Sequence, residues 1–202
     1  FTVPDAQLMD AYYAVITPAT GETAGTISEY EKNWQATYEA EDATLIGKAF
    51  TAKKTGGGDL ARSNRAEVGG LDTPNDGVEF TVNVPNDGRY RLDVYYSSQA
   101  PQVNAQTLEF VSSGGQNRAI GALMSHELTV DNGQPQEIIY DSTVKWGYYN
   151  YKTVYVELAK GSHKIKLMHK GEDQTVKEVN SRLCATLDKI DLAYAPEEPA
   201  VI

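Results

Sequence analysis

From about residue 77 onward, hydrophobic and polar residues alternate with a period of two, the period of strands that bury one face. Val78, Phe80, Val82 and Val84 make one apolar row opposite Glu79, Thr81 and Asn83. Tyr90, Leu92, Val94 and Tyr96 make a second, opposite Arg89, Arg91 and Asp93. Further strands are predicted over 107–111, 128–130, 137–140, 153–158, 164–168 and 187–194. Pro-Asn-Asp-Gly occurs at 74–77 and again at 85–88, each time directly before a strand, and the second copy is expected to close a hairpin. Short strands separated by frequent turn signals predict an all-β sandwich.

Three stretches break the pattern. Residues 1–36 read as an N-terminal extension, a linker or the remnant of a neighbouring domain, with a helical turn over 28–34 capped by Ser28. Residues 97–125 read as an elaborated loop that either carries specificity or packs as decoration. Residues 196–202 begin Pro-Glu-Glu-Pro and read as a linker, leaving 37–195 as one module.

Composition narrows the function classes. With 41% hydrophobic residues and no apolar run near the roughly 18 that a spanning helix needs, no membrane association is expected. The formal charge of -10 disfavours nucleic acid and anionic membranes, since both need a cationic footprint, and neutral partners fit better. Phe1 to Asp5 lack a basic start followed by an apolar stretch, as expected of an excised domain or a mature chain. The single Cys184 excludes a disulfide within the chain and reads as a small buried thiol, with a reactive nucleophile as the alternative.

Carboxylates stand where apolar residues are expected. Strand geometry over 38–45 puts Glu39 and Glu41 on one face with Ala43 and Leu45, and Asp188 heads the row of Ile190 and Leu192. Buried carboxylates without partners are costly, so a cation is expected. Oxygen ligands with no His or Cys nearby favour a hard ion, and calcium tolerates irregular geometry better than magnesium. Two rivals stay open: Glu39 and Glu41 as a general acid and base, and acids fraying into solvent at a strand start. Against the first, a glycosidase pair flanks the scissile bond, whereas neighbours on one strand point the same way.

Tyr-Glu-Ala-Glu-Asp-Ala at 38–43, Val-Gly-Gly-Leu-Asp at 68–72, Gly-Arg-Tyr-Arg-Leu at 88–92, the aromatic cluster at Trp146, Leu-Ala-Lys-Gly at 158–161 and Leu-Asp-Lys-Ile at 187–190 follow one another in order. From Tyr38 to Tyr194 this series resembles carbohydrate-binding modules of family 35 and its relative family 6. The resemblance implies a jelly-roll-like β-sandwich of two antiparallel sheets with a structural Ca2+. It also implies a non-catalytic module that is extracellular, bacterial and monomeric in isolation, joined to a catalytic domain in the same polypeptide, with a glycan as ligand. Carried over, the calcium ligands are Glu39, Glu41, Asp188 and backbone oxygens within Arg62 to Arg65, although the family's Ser-Gly there is Ser63-Asn64 in this chain.

Sugars present C–H faces that stack on aromatic rings and hydroxyls that need planar polar partners. Trp146, Tyr148, Tyr149, Asn150 and Tyr151 supply both within one segment, and the resemblance places that segment at the loop-end binding site. Thr143-Val144-Lys145 replaces the family's usual Thr-Gly-Gly ahead of the tryptophan. The resemblance also puts Arg65 and Glu67 in a second loop facing the site, and Asn104 and Gln106 lie in the elaborated loop. His126, His163 and His169 are too scattered to suggest a metal set, and Gly56-Gly57-Gly58 reads as a turn. No nucleophile elbow or phosphate-cradling loop is found. A structural domain packed on a catalytic neighbour without sugar binding, and a small glycan-cleaving enzyme, remain as other readings.

Overall fold

The computed structural model describes residues 29–53, 62–98, 102–103, 110–111, 123–141, 143, 146–170, 182–183 and 185–196. Asn104, Gln106, Cys184, Gly56 to Gly58, Val144, Lys145, residues 1–28 and residues 197–202 lie outside them. After a helical turn, α1 (Glu29–Lys32), come β1 (Gln35–Glu39), β2 (Thr44–Ile46), β3 (Phe50–Lys53), β4 (Ala66–Gly69), β5 (Gly77–Val84), β6 (Gly88–Ser97), β7 (Gln102–Val103) and β8 (Phe110–Val111). The second half holds β9 (Leu123–Val130), β10 (Gln136–Tyr140), β11 (Asn150–Leu158), β12 (Gly161–His169), β13 (Arg182–Leu183) and β14 (Thr186–Tyr194).

The fold is a jelly-roll-like sandwich of two antiparallel sheets. One sheet runs β11-β6-β14-β4-β3, with β1 also pairing β14, and the other runs β10-β9-β12-β5-β2, with the short β13 joining β9 in parallel. The chain changes sheet at most connections, β3–β4 and β9–β10 being among those that stay in one sheet, and where it crosses, the apolar rows of consecutive strands face each other across the core. Val78, Phe80, Val82 and Val84 of β5 meet Tyr90, Leu92, Val94 and Tyr96 of β6 in this way, and all are buried. Burying a large apolar side chain contributes about 1.5–3 kcal/mol, and two such rows commit both strands to one register.

Two expectations are corrected. The turn at 85–88 does not close a hairpin: β5 and β6 belong to different sheets, and the turn arches between them. The buried Tyr90 hydroxyl donates to the Asn86 carbonyl at 2.9 Å and holds that arch. Glu39 and Glu41 do not share one strand, because a 3-10 turn at Ala40–Asp42 takes the chain from β1 in one sheet to β2 in the other. Asp188 is buried at the head of the Ile190 and Leu192 row as expected, and it is also the extra residue of a bulge, where register slips between Leu187 and Lys189, so that Leu187 and Asp188 are both buried. The boundary at 36 falls inside β1, and Trp34 packs edge-on against Tyr90 at 5.7 Å, so the described end of the extension is part of the sandwich.

Candidate functional site

The sheet crossing at 39–42, the bulge at Asp188 and the loop before β4 meet at one end of the sandwich. Ser63 ties them together: its backbone N–H donates to Asp188 Oδ1 at 2.9 Å, and its hydroxyl donates to Glu39 Oε1 at 2.6 Å. The loop achieves this with Asn64 at φ 46° and Arg65 at φ 58°, both in the left-handed region that non-glycine residues seldom adopt. Burial raises the Asp188 carboxyl to about 7 against the pull of the Ser63 N–H, and Glu39 and Glu41 push it the same way as burial. Glu41 is also raised, first by burial and then by Glu39 and Asp42. Glu39 Oε2 and Glu41 Oε2 are buried with no hydrogen-bond partner among the described residues. The donors are the hard oxygens a calcium ion takes, and the orphaned oxygens fit one. As placed, though, no group of three or more acidic, histidine or cysteine side chains among the described residues stands in metal-holding geometry.

The aromatic segment is split between two clefts. Trp146, 38% exposed, lines a cleft of about 240 Å³ with Phe50, 55% exposed, over a floor of Gly69 and Gly70. A Cβ on Gly70 would stand 2.7 Å from the Phe50 ring, so the bare glycine is what lets that ring pack against the backbone. Tyr149, Asn150 and Tyr151 line a second cleft of about 500 Å³ together with Tyr95, Arg62, Ser63, Asp188 and Lys189. Asn150 and Tyr151 sit on β11, and the Tyr151 and Tyr95 rings lie 5.4 Å apart across the sheet.

Glu67 on β4 separates the clefts. Its Oε2 accepts from the Tyr149 hydroxyl at 2.6 Å and from Thr186 Oγ1 at 2.8 Å, and its Oε1 pairs with Arg62 at 3.0 Å. Burial and the Glu67 contact hold the Tyr149 phenol well above its ordinary pKa. Glu67 thus spends its acceptors within the protein, and Arg62 places its guanidinium in the partition while its neighbour Ser63 serves the acid cluster. Exposed Arg65 and Tyr148 line neither cleft. Phe50 and Tyr95 were missed by the sequence reading. Phe50 had only its place between strand-like residues, and Tyr95 sits on the polar side of the β6 alternation, where an aromatic ring is itself a signal.

His126 and His169 are scattered in sequence, yet they stand directly opposite each other on β9 and β12, both buried. His126 Nδ1 lies 3.1 Å from the Tyr140 hydroxyl. Burial, then His169, lowers the His126 pKa to about 3.

No family model and no curated protein matches the chain. Solved structures do. A family 35 carbohydrate binding module from Clostridium thermocellum matches with a TM-score of 0.55 at 22% identity, over 78% of this chain and 98% of the other. A native structure of a family 35 module from the same organism matches with a TM-score of 0.57 at 18% identity, over 79% and 97%. An exo-beta-1,3-galactanase from Phanerochaete chrysosporium matches with a TM-score of 0.54 at 16% identity, over 78% of this chain but 29% of the enzyme. The element order, the paired sheets and these likenesses together give the chain the fold of the family 35 carbohydrate-binding modules.

Proposed function

We propose that this chain is a non-catalytic carbohydrate-binding module that tethers a glycan-active enzyme to its substrate outside the cell. The observation that carries the reading is the exposed Trp146 and Phe50 pair lining one cleft over a glycine floor, with Asp72 at its edge. The exposed Trp146 ring, and the Phe50 ring packed on the two glycines, offer apolar surface to a sugar, and a nearby carboxylate accepts hydrogen bonds from its hydroxyls. The non-catalytic part of the reading is supported by where the acids are: Glu39 and Glu41 line neither aromatic cleft, and Glu67 is held by Arg62, Tyr149 and Thr186. A glycan array followed by calorimetry on binders tests it, and silence at millimolar sensitivity would leave a purely structural domain.

The second part of the proposal is a structural calcium held by Glu39, Glu41 and Asp188, with backbone carbonyls from Arg62 to Arg65. Its support is the pair of orphaned carboxylate oxygens and the raised Asp188, which together describe negative charge lacking a counter-ion. The ion would neutralise the cluster and take no part in bond making. The calorimetry is therefore run with and without a chelator.

A further inference from the structure

A cleft of about 660 Å³ lies on the outer face of the sheet along β6, β14 and β1. Arg91, Asp93 and Tyr95 of β6 and Asp191 of β14 floor it, and Trp34 and the 72% exposed Tyr30 wall one side. We infer that this trough is a second sugar subsite, continuous with the tyrosine cleft, so that the module holds a neutral oligosaccharide chain rather than one terminal sugar. The inference rests on the proposed sugar-binding reading and extends it to chain length.

Continuity is carried by Tyr95, which lines both the trough and the tyrosine cleft, and the Tyr149–Glu67 hydrogen bond is the partition a chain would cross to reach the Trp146 and Phe50 pair. From Tyr151 on β11 through Tyr95 and Asp191 to Thr37 on β1 is three strand spacings, about 14 Å, more than one sugar ring fills. The chemistry suits hydroxyls. Asp93 accepts from Thr153 Oγ1 at 2.6 Å and pairs with Arg91 at 3.0 Å, and Asp191 accepts from Thr37 Oγ1 at 2.6 Å and pairs with Lys189 at 2.9 Å. Each acid is thereby matched by a base, so the floor offers fixed donors and acceptors with little net charge. A neutral chain is favoured over a polyanion, which the formal charge of -10 also opposes. The Tyr95 ring adds aromatic surface between the two clefts, flanked by the Lys189 ammonium 4.3 Å from its centre and by the Tyr151 ring at 5.4 Å.

The chain has two tryptophans, and one stands in each region: Trp146 in the loop-end cleft and Trp34 in the trough. Titrating the tryptophan-labelled full chain by NMR with galactose, glucose and their linear β-1,3- and α-1,6-linked hexaoses separates the two ideas. The monosaccharides are expected to move the Trp146 indole alone. At least one hexaose is expected to move both indoles at a common midpoint, with affinity at least tenfold higher than its monosaccharide. Arg91→Ala should remove that tenfold advantage and leave monosaccharide binding unchanged, and Asp191→Asn does the same if that variant folds poorly. Trp34 silent while Trp146 responds overturns the inference and leaves the proposed function standing. Both indoles silent with every probe overturns the sugar-binding reading and this inference with it. Trp34 responding alone, or at a separate midpoint, overturns the continuous track.

Discussion

At Gly70 the backbone takes φ +71°, and an added Cβ would stand 2.6 Å from the Lys48 carbonyl as well as against the Phe50 ring. Gly70→Ala is therefore expected to destabilise the fold by about 1–2 kcal/mol through backbone strain and to weaken sugar binding by displacing Phe50. Phe50→Ala makes the complementary case. Its ring is 55% exposed, so the melting temperature should hold while affinity falls at least tenfold, about 1.4 kcal/mol. Calorimetry and melting curves on the same two proteins check both, and a Phe50 variant that binds normally removes it from the site. Arg62 is of another kind, since its side chain is 3% exposed and paired with Glu67. Arg62→Met would leave that carboxylate buried without its cation and is expected to cost about 3–5 kcal/mol of stability, read by chemical denaturation.

Between elements, the bulge in β14 decides what Asp188 can do. By letting two consecutive residues be buried, it sets a carboxylate beside Ser63 without breaking the row of Ile190 and Leu192. Asp188→Asn keeps the size and removes the charge. Without calcium the variant should melt at or above the parent, because the repulsion from Glu39 and Glu41 is gone, while its response to added calcium should be lost. A variant still stabilised by calcium as strongly as the parent would take Asp188 out of the ligand set. The cross-strand pair of β9 and β12 makes a pH prediction. His126 has its pKa lowered from an ordinary 6.5 to about 3 by burial and by His169, so the unfolded chain binds protons that the folded one refuses. Its contribution is thus present above about 6.5 and lost as pH falls from there toward 3. His126→Leu should be less stable than the parent at pH 8, and the gap should narrow or reverse on acidification through that window; parallel melting curves test it.

For the whole molecule, the acid cluster joins segments that are distant in sequence: the sheet crossing at 39–42, the loop at Ser63 and the last strand. An ion there that binds only the folded state would raise stability by about 2.7 kcal/mol at a hundredfold excess over its Kd. Exhaustive chelation is accordingly expected to lower the melting temperature, and an unchanged curve removes the calcium proposal. From about residue 77 onward the sequence alone determined the main strands and their buried faces, because period two follows from backbone pleating and needs no partner to be read, whereas β1 to β4 were not separated by it. It also marked Glu39, Glu41 and Asp188 as carboxylates among apolar residues, and Trp146 to Tyr151 as a dense aromatic segment. It could not tell a hairpin from an arch at 85–88, since the same turn residues serve both and only sheet membership separates them. Nor could it join Phe50 to Trp146, pair His126 with His169, or turn Glu67 from a ligand contact into the partition between two clefts. Those outcomes depend on which strands become neighbours, and strand order is fixed by how the two buried faces close on each other rather than by any local stretch of the chain.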